Sequence, residues 1–304
     1  MSRIAFLGTP GAAVPTLRAL AGSHDVVVVI TQPDRPRGRS KSPAPSPVKE
    51  EAADLGLDVR QPAGGDEIRH VLDEAGPLDL GVVVAYGRLL PPEALGVPRN
   101  GMLNVHFSLL PRWRGAAPVA RALLAGDSMT GVTIIRLDHG LDTGPVLTAQ
   151  AVDVQSEETS GELTIRLAGL GARLLTEVIP PYLRGEMEPV TQTDEGMTYA
   201  AKIEPGDRPL QPQSPAREAV NRVRALSPEP GATLAIDGET IQILRARLAG
   251  SSPGIGIWAS QSDQPIAGFV DGGVELVELK PPGKAAMSGE AWLRGRNRAA
   301  GKIG

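Results

Sequence analysis

The sequence predicts an α/β fold: a doubly wound parallel sheet in the first part of the chain, followed by a small C-terminal β-barrel. Three observations lead to this prediction. Strand-like and helical stretches alternate over the first part of the chain, several of the strands are unbroken apolar runs, and short strands separated by turn residues fill the last part. With 304 residues, the chain is long enough for two domains.

Five strand-like runs in the first part are separated by helical stretches. The run DVVVVIT (25–31) is mostly β-branched, as expected of a strand that is covered on both faces. Ser46 is placed to cap a helix that begins at Pro47. Because alternating strands and helices give parallel sheets, we expect ligands beyond the carboxyl ends of the strands. The runs are RIAFLG (3–8), DVVVVIT (25–31), LGVVVAY (80–86), MLNVH (102–106) and GVTIIRL (131–137), and the helical stretches lie at 13–20, 46–56 and 117–126.

The pattern changes after a long helical stretch at 160–185, which we expect to bend or end at Pro180–Pro181. A polar, proline-rich segment follows, and then a helix at 216–226. The strands ATLAIDG, TIQILRARL, GIGIWA and IAGFVDGGVELVEL come next and predict a small barrel. The predicted boundaries are 1–189 for the first domain, 190–207 for a linker and 208–304 for the barrel domain.

The composition excludes several kinds of chemistry. The chain has no cysteine, which removes disulfides, thiolate nucleophiles and sulfur-ligated metals. His24, His70 and His139 lack the spacing of a metal site, so we expect no metal. The net charge of −4 gives no overall attraction for nucleic acid, and such binding needs a local basic patch. The N-terminus lacks a leader pattern, and no apolar run is long enough to span a membrane, so we expect a cytoplasmic protein.

Two polar side chains end the apolar run MLNVH. Alternate residues of a strand share a face, so Asn104 and His106 are expected to point the same way at the carboxyl end of a strand. An amide N–H beside an imidazole N–H suits an oxyanion that forms during acyl transfer. Such a tripeptide by itself is more often structural than catalytic.

The loop DHGLDTG follows the next strand and adds acidic residues. We expect Asp138 and Asp142 to lie over the same edge as His106. A carboxylate beside an imidazole favours the imidazolium and fixes its orientation. Asn104, His106 and Asp142 would then form a group without a serine or cysteine nucleophile, which favours direct transfer of an acyl group to an amine.

A basic loop follows the strand at 25–31 in this acidic protein. Arg35, Arg37, Arg39 and Lys41 lie within eight residues, in a stretch rich in proline, glycine and serine. Such a run alone is compatible with a solvated surface. The turn GTPGAAVP after the first strand, by contrast, meets neither the dinucleotide pattern nor the phosphate-loop pattern, so we expect no nucleotide site there.

Four stretches together resemble the methionyl-tRNA formyltransferase family, and the resemblance covers nearly the whole chain in the same order. The combination of N-x-H, SLLP and D-T-G is similar to that of enzymes that move formyl from 10-formyltetrahydrofolate. The C-terminal LKPPGKAAMSGEAWLRG resembles the closing segment of the tRNA enzyme. The chain departs from the family at 209–212, where a proline-containing stretch takes the place of an expected Asp-Trp pair. The stretches are TQPDRPRGRSKSPAPSPVK, VVVAYGRLLP, NVHFSLLPRWRGAAP and TGVTIIRLDHGLDTGPV.

The resemblance implies a Rossmann-like formyltransferase domain, an OB-like barrel that binds tRNA, and a monomer without a metal. It implies that Asn104, His106 and Asp142 are catalytic, and that 10-formyltetrahydrofolate is the cosubstrate. The amine of initiator methionyl-tRNA is the implied acceptor, and the product would serve translation initiation. The folate pocket is implied at Val84, Ala85, Tyr86, Gly87, Ser108, Leu109, Leu110 and Pro111, and tRNA contacts at Arg35, Arg37, Arg39, Lys41 and Lys202.

Two alternatives stay open at this point. The same chemistry could serve another amine, such as a sugar nucleotide or glycinamide ribonucleotide, although a C-terminal barrel argues against the latter. A non-catalytic relative that binds tRNA or folate is the other alternative, and the complete set of Asn104, His106 and Asp142 argues against it.

Overall fold

The computed structural model describes residues 1–36, 42–296 and 298–304. The chain divides into two compact units. The first contains residues 1–116, 130–152 and 164–200, and the second contains residues 117–129, 153–163 and 201–304. The boundaries predicted from the sequence at residues 189 and 208 stay a prediction.

The strands up to residue 200 include a seven-stranded sheet in the described part of the chain. Its order is β10-β9-β7-β6-β1-β2-β5, and the pairs from β5 to β7 are all parallel. Two-residue strands pair beside it, β3 with β4 and β8 with β11. The strands are β1 (Arg3–Gly8), β2 (Asp25–Ile30), β3 (Arg35–Pro36), β4 (Pro43–Ala44), β5 (Val59–Arg60), β6 (Leu80–Val84), β7 (Met102–His106), β8 (Arg114–Gly115), β9 (Met129–Arg136), β10 (Val146–Asp153) and β11 (Tyr199–Ala200).

The central strands are buried along their whole length. Every residue of β6 and β7 is buried, as expected of parallel strands covered on both faces. Ser46 caps α2 by accepting a hydrogen bond from the Lys49 N–H, as the sequence predicts. The helices up to residue 200 are α1 (Val14–Ser23), α2 (Pro47–Asp54), α3 (Gly65–Glu74), α4 (Pro92–Leu95), α5 (Pro118–Ala125) and α6 (Ser160–Leu183).

Two local features differ from the expectations. The strand β9 runs antiparallel to β7, with Leu103 opposite Arg136 and His106 opposite Thr133. A buried apolar run has the same composition in both directions, so the sequence could not reveal this. Helix α6 continues through Pro180–Pro181 to Leu183. Both prolines lie in its last turn, so the hydrogen bonds that they cannot donate are missing only near the end of the helix.

The last part of the chain forms an antiparallel sheet with the order β12-β13-β16-β15-β14-β18, and β17 pairs with β16. A bridge between Ile236 and Ile303 joins the two ends of this sheet, which curves it toward a barrel. Trp258 and Phe269 lie in its core. The elements are α7 (Ala216–Leu226), β12 (Ala232–Ile236), β13 (Glu239–Ala249), β14 (Ile257–Gln261), β15 (Gln264–Gly268), β16 (Gly273–Lys280), β17 (Met287–Ser288), α8 (Gly289–Arg294) and β18 (Ala300–Lys302).

Candidate active site

The structure brings Asn104, His106 and Asp142 together. Asn104 and His106 are the third and last residues of β7, so their side chains share a face, and they are only 8% and 5% exposed. The Asn104 Nδ2 lies 3.4 Å from Asp142 Oδ1, and the His106 Nδ1 lies 3.6 Å from Asp142 Oδ2. The Gly115 N–H donates to Asp142 Oδ2 at 2.8 Å. One carboxylate therefore faces both an amide and an imidazole.

The other nitrogen of the imidazole faces the main chain. The His106 Nε2 lies 2.8 Å from the carbonyl oxygen of Trp113. Because a carbonyl oxygen only accepts hydrogen bonds, Nε2 carries a proton in this arrangement. The ring is thereby fixed with its Nδ1 toward Asp142.

Asp142 reaches this position by a different route from the one expected. Because β9 is antiparallel to β7, its last residue lies beside the start of β7, away from the carboxyl edge. The loop after β9 then runs back toward His106, and Asp142 lies in it with a left-handed backbone, φ 54°. Asp138, the other acidic residue of this loop, forms hydrogen bonds within the loop itself. Its Oδ1 accepts from the Gly140 N–H at 3.0 Å and the Thr143 hydroxyl at 2.7 Å, which shapes the loop.

The sequence did not predict that two further side chains support the Asp142 loop. The Gln192 Nε2 donates to the carbonyl oxygens of Asp142 at 2.8 Å and Gly144 at 2.7 Å. Its Oε1 accepts from Arg114 Nη2 at 2.8 Å and Nε at 3.1 Å. Arg114 is only 4% exposed. Arg114 lies within the stretch NVHFSLLPRWRGAAP, but Gln192 lies in a stretch without periodicity, 50 residues from Asp142.

Residues 108–111 follow β7 and form a firmly held turn. Ser108 is fully buried, and its carbonyl oxygen accepts from the Thr133 hydroxyl at 2.7 Å. The same hydroxyl accepts from the Leu110 N–H at 3.1 Å. Leu109, Leu110 and Pro111 are partly exposed. The turn therefore offers some apolar surface directly after His106.

Residues 84–87 end the neighbouring strand β6. Ala85 and Gly87 are exposed, with left-handed backbones at φ 47° and 81°. The Tyr86 side chain packs in the apolar core, where burial raises the pKa of its hydroxyl. The Tyr86 carbonyl oxygen accepts from Gln32 Nε2 at 2.7 Å. The exposed part of this turn is thus its backbone, while the Tyr86 ring supports the fold.

The predicted basic residues are only partly described. Arg35 is exposed and lies in β3, opposite Ala44 of β4. Arg37, Arg39 and Lys41 lie outside the described residues. Lys202 is exposed in the second unit, and its carbonyl oxygen accepts from Arg121.

Two further observations concern metals and membranes. In residues 1–36, 42–296 and 298–304, no three histidine, aspartate or glutamate side chains form a cluster suited to a metal ion. Within the same residues, no helix has both the length and the apolar composition needed to cross a membrane.

Comparison with known proteins identifies the family. Residues 2–179 match the sequence model described as Formyl transferase, and residues 202–297 match that of the formyl transferase C-terminal domain. An N-formyltransferase from Helicobacter canadensis, solved in complex with folinic acid and dTDP-3-aminofucose, shares the fold with a TM-score of 0.71. The two proteins are 18% identical, and the match covers 91% of this chain and 99% of that one. The chain belongs to the formyl transferase family, and the predicted fold class is confirmed.

Relatives that match this chain over nearly its full length bear the name methionyl-tRNA formyltransferase. The methionyl-tRNA formyltransferase of Halorhodospira halophila is 45% identical over 99% of this chain and 98% of its own. That of Rhizorhabdus wittichii is 46% identical over 96% of this chain and 95% of its own.

Proposed function

We propose that this protein transfers the formyl group of 10-formyltetrahydrofolate to the α-amino group of initiator methionyl-tRNA. The observation that carries the proposal is the convergence of Asn104 and His106 on the carboxylate of Asp142. The full-length relatives that bear the name methionyl-tRNA formyltransferase support the choice of acceptor. The product, N-formylmethionyl-tRNA, would serve translation initiation in the cytoplasm. That the protein is a monomer stays a prediction.

The proposed roles follow from the donors and acceptors of the three side chains. The Asn104 Nδ2 and the His106 Nδ1 lie 3.4 and 3.6 Å from the Asp142 carboxylate, which is longer than an ordinary hydrogen bond. Both N–H groups can therefore also donate to an oxygen of a bound substrate. The Asn104 amide and a doubly protonated His106 would donate to the formyl oxygen as the amine attacks the formyl carbon. Such contacts often tighten only when substrate is bound.

Asp142 is proposed to accept the proton that the attacking amine loses. Its carboxylate would stabilise the positive charge on His106 and accept that proton through a water molecule. As the bond between the formyl carbon and the folate nitrogen breaks, that nitrogen takes up the proton. No covalent intermediate with the protein is required, because the amine attacks the formyl carbon directly, and the nearby Ser108 hydroxyl is buried and donates to the Arg112 carbonyl oxygen.

The two turns at the carboxyl ends of β6 and β7 are proposed to hold the folate. The strands are neighbours, with Val83 opposite Asn104, so residues 84–87 and 108–111 follow on the same edge. Exposed backbone at Ala85 and Gly87 suits recognition of a ring edge, and the partly exposed Leu109–Pro111 suits its apolar faces.

Basic residues are proposed to bind the acceptor end of the tRNA. Arg35, Arg37, Arg39 and Lys41 would neutralise phosphates, with Arg39 as the principal contact, and Lys202 would contribute from the second unit. Arg35 and Lys202 are both exposed, which supports this role.

A labelled formyl donor tests the proposal against its alternatives. Methionyl-tRNA, free methionine and an amino-sugar nucleotide are offered side by side as acceptors. We expect label in methionyl-tRNA only. Transfer to the sugar nucleotide alone would favour the second candidate acceptor, and binding of tRNA or folate without any transfer would identify a non-catalytic relative.

A further inference from the structure

A short segment of the first unit runs past both sides of the candidate active site. This segment, residues 190–200, is called the strap here. At its start Val190 bridges Val146, and at its end Tyr199–Ala200 pairs in parallel with Arg114–Gly115. The strap is thus tied to the sheet at one end and to the loop after β7 at the other.

The orientation of the Gln192 amide follows from its neighbours. Two backbone carbonyl oxygens, which only accept, lie on one side of it, and the Arg114 guanidinium, which only donates, lies on the other. The Nε2 must therefore face Asp142 and Gly144, and the Oε1 must face Arg114. Four hydrogen bonds fix this single side chain.

The backbone that Gln192 contacts has an unfavourable conformation. A left-handed φ at a residue other than glycine is unfavourable and persists only where its surroundings hold it. Asp142 has φ 54°, and the two Gln192 bonds hold its carbonyl and that of Gly144. Loss of these bonds would allow the loop to relax and the carboxylate to leave His106.

The other side of His106 is held through the same strap. The Thr198 hydroxyl accepts from the Trp113 N–H at 2.9 Å, and the Thr198 carbonyl accepts from the Arg114 N–H at 2.9 Å. Trp113 in turn presents its carbonyl oxygen to His106 Nε2. Both nitrogens of the imidazole thus face groups that the strap supports.

We propose that Gln192 is a positioning residue for formyl transfer, which holds Asp142 against His106 and Asn104 while Arg114 holds Gln192. This inference rests on the proposed function of the site. Displacement of a reacting group by about 1 Å can lower a rate about 100-fold. We therefore expect a fall in rate of up to this size when Gln192 no longer holds Asp142.

Gln192→Glu removes the hydrogen-bond donor of this side chain and keeps an acceptor. The glutamate keeps an acceptor for Arg114 but cannot donate to the carbonyl oxygens of Asp142 and Gly144. We expect kcat for methionyl-tRNA to fall about 10- to 100-fold, with KM within about twofold and a circular dichroism spectrum that stays that of a folded protein. The matched control is Gln150→Glu, because Gln150 is also half-buried and also accepts from an arginine, Arg173. The control should keep wild-type kinetics, and a Gln192→Glu enzyme with wild-type kcat would overturn the proposal.

A double-mutant cycle tests whether Gln192 acts through Asp142. In the Asp142→Asn background, single-turnover rates should change less than about twofold on adding Gln192→Glu, because the carboxylate to be positioned is already gone. A merely structural role predicts the same fall in both backgrounds, and that result would refute the inference.

Hydrogen exchange gives a readout that does not depend on turnover. In Gln192→Glu, peptides covering residues 138–145 should exchange faster, while peptides covering β1 and all peptides of Gln150→Glu should be unchanged. If the wild type transfers no formyl group, the proposed function is wrong, whereas unchanged exchange at 138–145 would show that Gln192 does not hold Asp142.

Discussion

Single residues of β7 determine the chemistry of the candidate site. A strand that alternates its side chains places Asn104 and His106 on one face, two residues apart, and the buried strand keeps them there. Burial also matters for strength, because donors shielded from water stabilise a developing charge more than exposed donors do. Asn104 and His106 therefore combine the direction and the environment that an oxyanion requires.

Asn104→Ala removes one of the two proposed donors. We expect kcat for formyl transfer to fall about 10²- to 10³-fold, the usual effect of losing one oxyanion donor, while the circular dichroism spectrum stays that of a folded protein. His139→Ala is the control, because His139 is exposed on the loop that carries Asp142. Equal rates for the Asn104→Ala and His139→Ala enzymes would remove Asn104 from the mechanism.

The residues that sequence analysis found are those with a local signal. Asn104 and His106 follow from the period of one strand, and Asp142 from a short motif. Gln192 and Thr198 carry no such signal, because their partners Asp142 and Trp113 lie 50 and 85 residues away and their own stretch is neither helical nor alternating. Only the three-dimensional structure reveals their contacts.

At the level of elements, the start of α6 combines a capping box with an ion pair. The Thr159 N–H and hydroxyl both donate to Glu162 Oε2, at 2.9 and 2.8 Å, and Arg245 donates to Glu162 Oε1. The hydrogen bond from Arg245 is the first cause that lowers the pKa of Glu162, to about 2. The carboxylate therefore contributes stability while it is ionised.

Glu162→Gln tests this contribution through its pH dependence. Since the folded-state pKa is lowered from 4.5 to about 2, the contribution is fully present above pH 4.5 and is lost as the pH falls toward 2. The side chains of Glu162 and Arg245 are both nearly half exposed, so we expect the free energy of unfolding to fall by about 1 kcal/mol or less at pH 7. Urea unfolding, followed by the fluorescence of the three tryptophans, of which Trp258 and Trp292 lie in the barrel, measures the free energy of unfolding.

The matched control for that experiment lies in the same helix. Glu177 forms an exposed ion pair with Arg173 one turn away, and Glu177→Gln should change stability little at any pH. If the Glu162→Gln deficit were the same at pH 2.5 and pH 7, the proposed ion pair and cap would not account for it.

The sequence predicted the type of several elements, strand or helix, but not the direction of every strand. Continuous apolar runs identified five of the seven strands of the sheet but not the short β5 or the partly exposed β10, and Ser46–Pro47 identified the start of α2. The direction of β9 was not predictable, because burial on both faces produces the same residues in parallel and antiparallel strands. Because of that direction, β9 ends beside the start of β7, and the loop after it must run back along the sheet to bring Asp142 to His106.

On the scale of the whole molecule, charge is distributed unevenly. The net charge of −4 repels nucleic acid overall, yet eight residues from Asp34 to Lys41 contain four basic side chains. Binding of tRNA should therefore depend on a few local contacts, with a steep dependence on salt. The barrel also contains basic side chains, but several of them are paired within it, as Arg247 is with Glu275 and Arg296 with Asp237.

Arg39→Ala tests the contribution of the basic loop. We expect weaker binding of methionyl-tRNA and a slope of log affinity against log salt that is smaller by about 1, because one phosphate contact is lost. Arg69→Ala serves as the control, since Arg69 is exposed on α3 and pairs with Asp73. An Arg39→Ala protein with unchanged affinity, slope and rate would exclude Arg39 from tRNA binding.

The most direct measurement is a single-turnover assay with enzyme in excess, comparing the wild type with His106→Ala. Rapid quenching follows labelled formyl as it passes to methionyl-tRNA. The wild type should form N-formylmethionyl-tRNA, and His106→Ala should do so about 100-fold or more slowly while it binds tRNA equally well. Equal rates for the two enzymes would contradict the assignment of catalysis to the group around His106.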